Sequence, residues 1–290
     1  MPLRFKSAAL VGKFHSAGIA EPLNGLAQFL DERGVEVAVE AETARNVGMG
    51  GRRVVAAEDI GKHAEVVVAV GGDGTMLSIG RMIAAFEIPL IGVNQGRLGF
   101  MTDIALADMY ETLGAMFEGE FEPEERAMIE AEVWRDDSML LRTQALNDVV
   151  VSRGAVGGMI ELSVSIDEQF VSNQRSDGLI LATPTGSTAY ALSANGPILH
   201  PRVGGFVLVP VAPHALTNRP IVVSDASRVV VTLTRGRDCR AHFDGQSHAV
   251  LNDGDRVAMR RSAYALRLLH PCGYNYFAML RQKLHWSTIP

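Results

Sequence analysis

Residues 66–77 read VVVAVGGDGTML. An apolar, mostly β-branched run empties into Gly71-Gly72-Asp73-Gly74-Thr75. Such a run, bounded by glycine, is the pattern of a strand buried on both faces, as in a parallel sheet. In open α/β sheets ligands gather at the carboxyl ends of the strands, where this glycine cluster stands. Glycines permit a tight turn and close approach to a ligand. A helix beginning near Thr75 would add free N–H groups and the positive end of its dipole. The loop therefore suits a polyphosphate, but a lone carboxylate repels one. Asp between glycines is commonly a turn residue whose side chain caps the backbone. The chemical alternative is that Asp73 takes the proton of a hydroxyl attacking a phosphate, as the Asp of other phosphoryl-transfer enzymes does. Help of that kind is worth roughly 10²–10⁴ in rate. The loop is not a Walker A sequence, since no Gly-Lys here precedes Ser or Thr. Gly48-Met49-Gly50 is not a dinucleotide fingerprint either, because Arg53 stands where the third glycine belongs.

Around this loop the first ~120 residues alternate strand-like and helix-like patches, the pattern of a doubly wound sheet. Ala8–Val11 and Val35–Val39 read as strands. Between them Leu23, Leu26, Ala27 and Leu30 fall at helical spacing and Gly34 closes the segment. Met76–Phe86 reads as a helix, Ile88–Val93 as a strand, and 105–117 as a helix. The texture changes near Phe121. Short alternating segments follow (MIEAEVW, DVVVSR, MIELSVSI, VVVTLT), many separated by turn signals such as Asn252-Asp253-Gly254. Few helices are expected there beyond one starting near Ser187. The expected fold class is an α/β N-terminal domain with a largely parallel sheet, residues 1–121, followed by a β-rich domain, 122–270. Residues 271–290, helical and then irregular from Trp286, would dock back on the first domain.

Bulk properties narrow the function. The chain has 290 residues, 47% hydrophobic and 21% charged, with net charge −6. Nothing suggests a nucleic-acid partner. Cys239 and Cys272 are far apart and read as inert thiols, and the eight histidines show no ligand spacing. No residue is assigned as a metal ligand. No apolar run approaches the ~18 residues of a membrane helix, and Lys13 interrupts the N-terminal apolar run, which argues against a signal peptide. No membrane partner is expected, and the cytoplasm is the default compartment.

Gly71–Thr75 resembles the G-G-D-G-T motif of a kinase superfamily that includes NAD kinases, diacylglycerol and sphingosine kinases and 6-phosphofructokinases. QRSDGLILATPTGSTAYALSANGPI, residues 174–198, is similar to the central motif of NAD kinases in particular. Asn147-Asp148 falls where that family carries an Asn-acidic pair, more often with Glu at the second place. Asp244-Gly245-Gln246 resembles its late D-G motif and Asn94–Phe100, NQGRLGF, its N-x-G-x-L-G-F loop. The resemblance spans nearly the whole chain and is strongest to Gram-negative bacterial members.

It implies an ATP:NAD 2′-phosphotransferase. NAD would lie in a cleft between domains, its adenosine ribose hydroxyl toward Asp73, the general base and also an NAD contact with Gly74. Gly71, Gly72, Gly74 and Thr75 would form the ATP-phosphate loop, with a divalent cation, Mg²⁺ by expectation. Asn147 and Asp148 would bind sugar hydroxyls. The Thr183–Thr188 turn reads as an N-cap cluster or as an adenosine site whose hydroxyls grip base and ribose. By the resemblance, Thr188, Ala189, Tyr190, Ala191, Leu192 and Ser193 would contact the dinucleotide. Asp177 would meet the nicotinamide half, and Arg175 a phosphate or only a surface ion-pair partner. Ala212 would offer its backbone, and Gln246 a hydrogen bond to ribose or amide. The family resemblance also implies a homo-oligomer, often a tetramer. A lipid or sphingoid-base kinase leaves TPTGSTAY unexplained. A dinucleotide sensor without turnover would have no need of Asp73.

Overall fold

The computed structural model describes residues 3–12, 18–96, 99–155 and 158–286. Lys13, the Arg97-Leu98 part of the NQGRLGF loop, and the residues after Trp286 lie outside the described residues. The chain forms two units, Met1–Glu124 with Leu266–Pro290, and Glu125–Ala265.

In the first unit the elements are β1 (Ser7–Gly12), α1 (Ala20–Asp31), β2 (Glu36–Glu40), α2 (Ala41–Val47), β3 (Arg53–Val55), β4 (Val66–Gly71), α3 (Asp73–Ile83), β5 (Leu90–Asn94), β6 (Ile104–Ala105) and α4 (Met109–Phe117). The strands pair in parallel in the order β3-β2-β1-β4-β5, with β6 beyond β5. This is a doubly wound order, whose switch point falls between β1 and β4. Every residue of β4 is buried, as its unbroken apolar run requires. Alternate β4 residues Val66, Val68 and Val70 share one core with α1 and α4. The α1 residues buried there, Leu23, Leu26, Ala27 and Leu30, are those its periodicity marks.

Two expectations shift. The helix after the glycine loop starts at Asp73, ahead of the expected Thr75–Met76. Gly72 is extended (φ −135°, ψ −173°) and caps it, and its carbonyl accepts from the N–H groups of both Thr75 and Met76. Asp73 is therefore the first helical residue rather than the apex of a loop. The helix expected over 105–117 begins as a 3₁₀ turn, Leu106–Asp108, and becomes α4 only at Met109.

The second unit holds most of β7 (Phe121–Arg135), then β8 (Ser138–Ala145), β9 (Asp148–Arg153), β10 (Ile160–Ile166), β11 (Gln169–Ser176), β12 (Gly178–Ala182), the single-turn α5 (Tyr190–Ser193), β13 (Gly205–Val211), β14 (Ile221–Ser224), β15 (Val229–Arg235), β16 (Cys239–Phe243), β17 (Ser247–Leu251) and the first part of β18 (Arg256–Pro271). One antiparallel sheet runs β14-β13-β12-β9-β16-β17. A second contains β11-β10-β15-β18, with the β7–β8 hairpin alongside β18. Val149, Val151, Leu179, Leu181 and Phe243 of the first sheet pack with Leu162, Val164, Val231 and Val257 of the second. The opposite face of the first sheet carries a smaller core of Val150, Ile180, Val207 and Val209 with Ala191. Because side chains alternate along a strand, Asp148, Val150 and Ser152 share that second face. From Leu266 the chain returns to the first unit, where Leu268 pairs with Leu90 and α6 (Tyr276–Leu284) follows.

Candidate active site

In the first unit the glycine loop and the segment after β5 form one arrangement. Asp73 Oδ2 accepts the Phe100 N–H and Oδ1 the Met101 N–H, each at 2.9 Å. The approach is close enough that a Cβ on Gly99 would lie 2.2 Å from Asp73 Oδ1 and 2.4 Å from Thr102 Oγ1. Gly99 is thus fixed by space. Gly72 and Gly74 differ, since a Cβ on either meets nothing within 4 Å. Neither is among the glycines with positive φ, so the tight-turn reason expected for them does not hold. What they provide is open room beside the first turn of α3. Asp73 does serve the backbone, as the turn-residue reading has it, but across a loop rather than within its own turn. Each carboxylate oxygen keeps a lone pair beyond the one already used, which leaves capacity for a hydroxyl proton.

In the second unit a carboxylate again meets consecutive backbone donors. Asp244 Oδ2 accepts the Leu146 N–H at 2.9 Å. Its Oδ1 accepts those of Asn147 and Asp148 at 2.7 and 3.1 Å. Asp244 sits at φ +53°, between β16 and β17, a conformation that Asp tolerates better than most residues. The Thr183–Thr188 turn closes over the same segment. Thr183 Oγ1 donates to Leu146 O at 2.6 Å, and the Thr183 N–H to Asn147 O at 2.9 Å. A Cβ on Gly186 would stand 2.0 Å from Asn147 O. The expectation that this turn's hydroxyls grip base and ribose is corrected for Thr183 and Ser187. Both are fully buried, and Ser187 Oγ donates to Pro184 O and accepts from the Leu199 N–H. Thr188 Oγ1 donates to Thr185 O at 3.1 Å. The expected helix is a 3₁₀ turn, Gly186–Thr188, followed by α5.

A pocket of about 360 Å³ opens on this face, lined by Asn147, Asp148, Val150, Ser152, Ala189, Tyr190, His242, Asp244 and Gly245. It unites four of the expected site residues, Asn147, Asp148, Ala189 and Tyr190. Tyr190 is 45% exposed, an aromatic surface available to a ligand. Ala191, a dinucleotide contact by the resemblance, is fully buried in the smaller core with Val150 and Ile180. Leu192 and Ser193 lie beyond the pocket lining, as does Gln246 in the β16–β17 turn. Asp148 is 5% exposed, and burial followed by the Asp244 charge pushes its carboxyl up to about 7. At neutral pH it can both donate and accept. Burial, with His248 and Arg240 nearby, holds the His242 imidazole below its ordinary range, so it lines the pocket as a neutral ring.

A second cluster lies at the other end of β9 and β12. Arg153 Nε is 2.8 Å from Asp177 Oδ1. The Asp177 N–H donates to Val211 O and the His214 N–H to Arg175 O. Ala212, adjacent, has φ +44°. Asp177 and Ala212 are thus brought near each other but not into the pocket. The Arg175 side chain is 61% exposed and 3.5 Å from Glu161, the surface pair rather than a built phosphate site. His242, Ser152 and Asp244 were not expected as site residues. Period-2 alternation from Asp148 would have found Ser152, and His242 directly opposes Val150 on the neighbouring strand.

Among the described residues no group of three or more His, Cys, Asp or Glu is arranged to hold a metal ion, and no helix is long and apolar enough to cross a membrane.

Comparison with known proteins converges on one family. Residues 9–121 match the ATP-NAD kinase N-terminal domain and residues 146–270 the ATP-NAD kinase C-terminal domain. The chain is 53% identical over 287 residues to an NAD kinase of Polaromonas sp. strain JS666, covering 99% of each chain. It is 53% identical over 286 residues to an NAD kinase of Ralstonia nicotianae, covering 99% of this chain and 95% of the other. An Archaeoglobus fulgidus NAD kinase solved in complex with ATP aligns with TM-score 0.76 and 26% identity, covering 96% of this chain and 98% of that one. Yeast NADH kinase, solved with NADH, shares the fold with TM-score 0.90 at 21% identity, covering 98% and 89%.

Proposed function

The chain belongs to the NAD kinase family, and from that premise we propose how its residues transfer the γ-phosphoryl group of ATP to the adenosine-ribose 2′-hydroxyl of NAD, giving NADP and ADP. The observation that carries the reading is the anchored Asp73 carboxylate beside an open, glycine-lined helix start. The 2′-oxygen attacks the γ-phosphorus as the bond to the β,γ-bridging oxygen breaks. The hydroxyl proton passes to Asp73, and the electron pair of the broken bond leaves with ADP. The amides of Phe100 and Met101 keep the carboxylate in one orientation, so little is lost to reorganisation when the proton moves. The N–H groups that open α3 favour phosphate charge.

Mg²⁺ enters as the ATP complex. Such an ion would be held chiefly by the triphosphate and water, with no all-protein cage required of this chain. When bound it spreads the charge of the transferring phosphoryl group.

The second unit binds the dinucleotide. Asn147 and Asp148 hydrogen-bond ribose hydroxyls, Tyr190 offers a flat surface, and Asp244 fixes the backbone that presents the pair. Asp177, held by Arg153, takes the nicotinamide half. Exposed apolar residues on the outer strands, Phe170 (66%) on β11 and Val222 (50%) on β14, support a homo-oligomer built through this β-rich unit, a tetramer by family likeness. The cytoplasm is the compartment that supplies ATP and NAD.

The test is NADP formation from NAD, ATP and Mg²⁺, followed with a dehydrogenase that reduces only NADP. Turnover that requires ATP is expected. Tight NAD or NADP binding without turnover would instead favour a sensor.

A further inference from the structure

The Phe100–Met101 amides that hold Asp73 are themselves pinned two residues further on. Nδ1 of His270, on β18, lies 2.8 Å from Asp103 Oδ2, and its Nε2 lies 3.1 Å from Glu124 Oε2. The imidazole is 2% exposed and the two carboxylate side chains 9% and 11%. The Tyr274 ring lies flat on it, centroids 3.8 Å apart and planes within 8°. Carboxylates only accept, so a ring between two of them donates from both nitrogens, and only the imidazolium does that. Burial opposes the charge, but Asp103 and Glu124, the charged groups facing the ring, outweigh it and raise the pKa above its ordinary value. On the other side of the segment, buried Asn94 donates to Oγ1 of fully buried Thr102 at 3.1 Å. Residues 99–103 are thus held from two sides, through Thr102 and through Asp103.

We propose that doubly protonated His270 is a positioning residue for phosphoryl transfer: by holding Asp103 it fixes the amides that orient Asp73. The proposal rests on Asp73 being the base. As pH rises and the ring loses a proton, one nitrogen presents a lone pair to a carboxylate and the pin opens. Turnover at saturating NAD then falls on the alkaline side, while the pH dependence of NAD binding follows Asp148 in the other unit.

The experiment compares the parent, His270→Gln and Asp73→Asn across pH 6–9. Glutamine donates from a single nitrogen and cannot span both carboxylates. His270→Gln is expected to lower kcat roughly tenfold, since small misplacement of a reacting group is costly. KM for NAD should stay within about twofold, as for a loss confined to the transition state. The alkaline fall in kcat should flatten, and hydrogen exchange at Phe100 and Met101 should quicken. An unchanged pH profile and unchanged exchange in His270→Gln would overturn the proposal. Near-parental turnover in Asp73→Asn would instead remove the base reading, and the exchange result would still report on the pin. Should His270→Gln not fold, nitrogen chemical shifts of His270 in the parent decide. Both ring nitrogens protonated at pH 7 are expected, and a neutral tautomer there would overturn the proposal.

Discussion

Two regions of this molecule use the same contact for opposite ends. In the first unit Asp73 accepts two consecutive backbone N–H groups, from Phe100 and Met101. In the second, Asp244 accepts three, from Leu146, Asn147 and Asp148. In the first case the loop serves the carboxylate, which stands at the start of α3 between Gly72 and Gly74, where an added Cβ meets nothing within 4 Å. In the second the carboxylate serves the loop, and the useful groups are the Asn147 and Asp148 side chains it presents to the pocket. A carboxylate on a run of amides is therefore not a functional label. What distinguishes the two is what the donors' own side chains do: those of Asn147 and Asp148 line a pocket.

The largest expected effect comes from breaking the first arrangement. Asp73→Asn keeps the size and one acceptor oxygen but cannot take a proton. Turnover should fall by about 10²–10⁴, with NAD affinity by calorimetry near parental. Near-normal turnover would make Asp73 a second structural clamp and erase the contrast.

Breaking the second arrangement should read out in binding and stability. Asp244→Ala strands three amides and puts Ala at φ +53°, so unfolding in urea should show a loss of about 2–4 kcal/mol. NAD affinity should drop roughly tenfold or more, the scale of losing one charge-assisted hydrogen bond. Asp244→Asn, which suits that backbone conformation, should recover part of both. Full parental affinity in Asp244→Ala would detach Asn147 and Asp148 from the sugar.

A finer effect lies in the neighbour of that clamp. The folded state holds the Asp148 carboxyl at about 7 instead of 3.8. Between these values the native protein binds more protons than the unfolded chain, so stability falls as pH rises through that window. Asp148→Asn removes the penalty. Its melting temperature relative to the parent should be higher at pH 8 and converge with the parent's toward pH 4. A difference independent of pH would place the unusual titration elsewhere.

Much of the frame was legible because it is local. The buried run of β4 and the helical spacing in α1 each carry their own periodicity, and the glycine loop marks the sheet end where a site belongs. Phe100 and Met101 stand 27 and 28 residues from Asp73, and Leu146 stands 98 from Asp244. Contacts closed over that length leave no trace in period or spacing. The resemblance therefore found the D-G motif, but not that its aspartate fixes the Asn147-Asp148 backbone. The same limit applies to the hydroxyls of the Thr183–Thr188 turn, two of which proved to be internal braces. His242 was missed because a histidine in an alternating strand carries no signal until its neighbour strand is known.

The most direct test of this division of labour is single-turnover NADP formation at saturating NAD in the Asp244→Asn variant. Once its weaker binding is overcome by concentration, the rate should match the parent within about twofold, as for a residue that acts only through binding. A loss as deep as that of Asp73→Asn would place Asp244 in the chemical step and contradict the account.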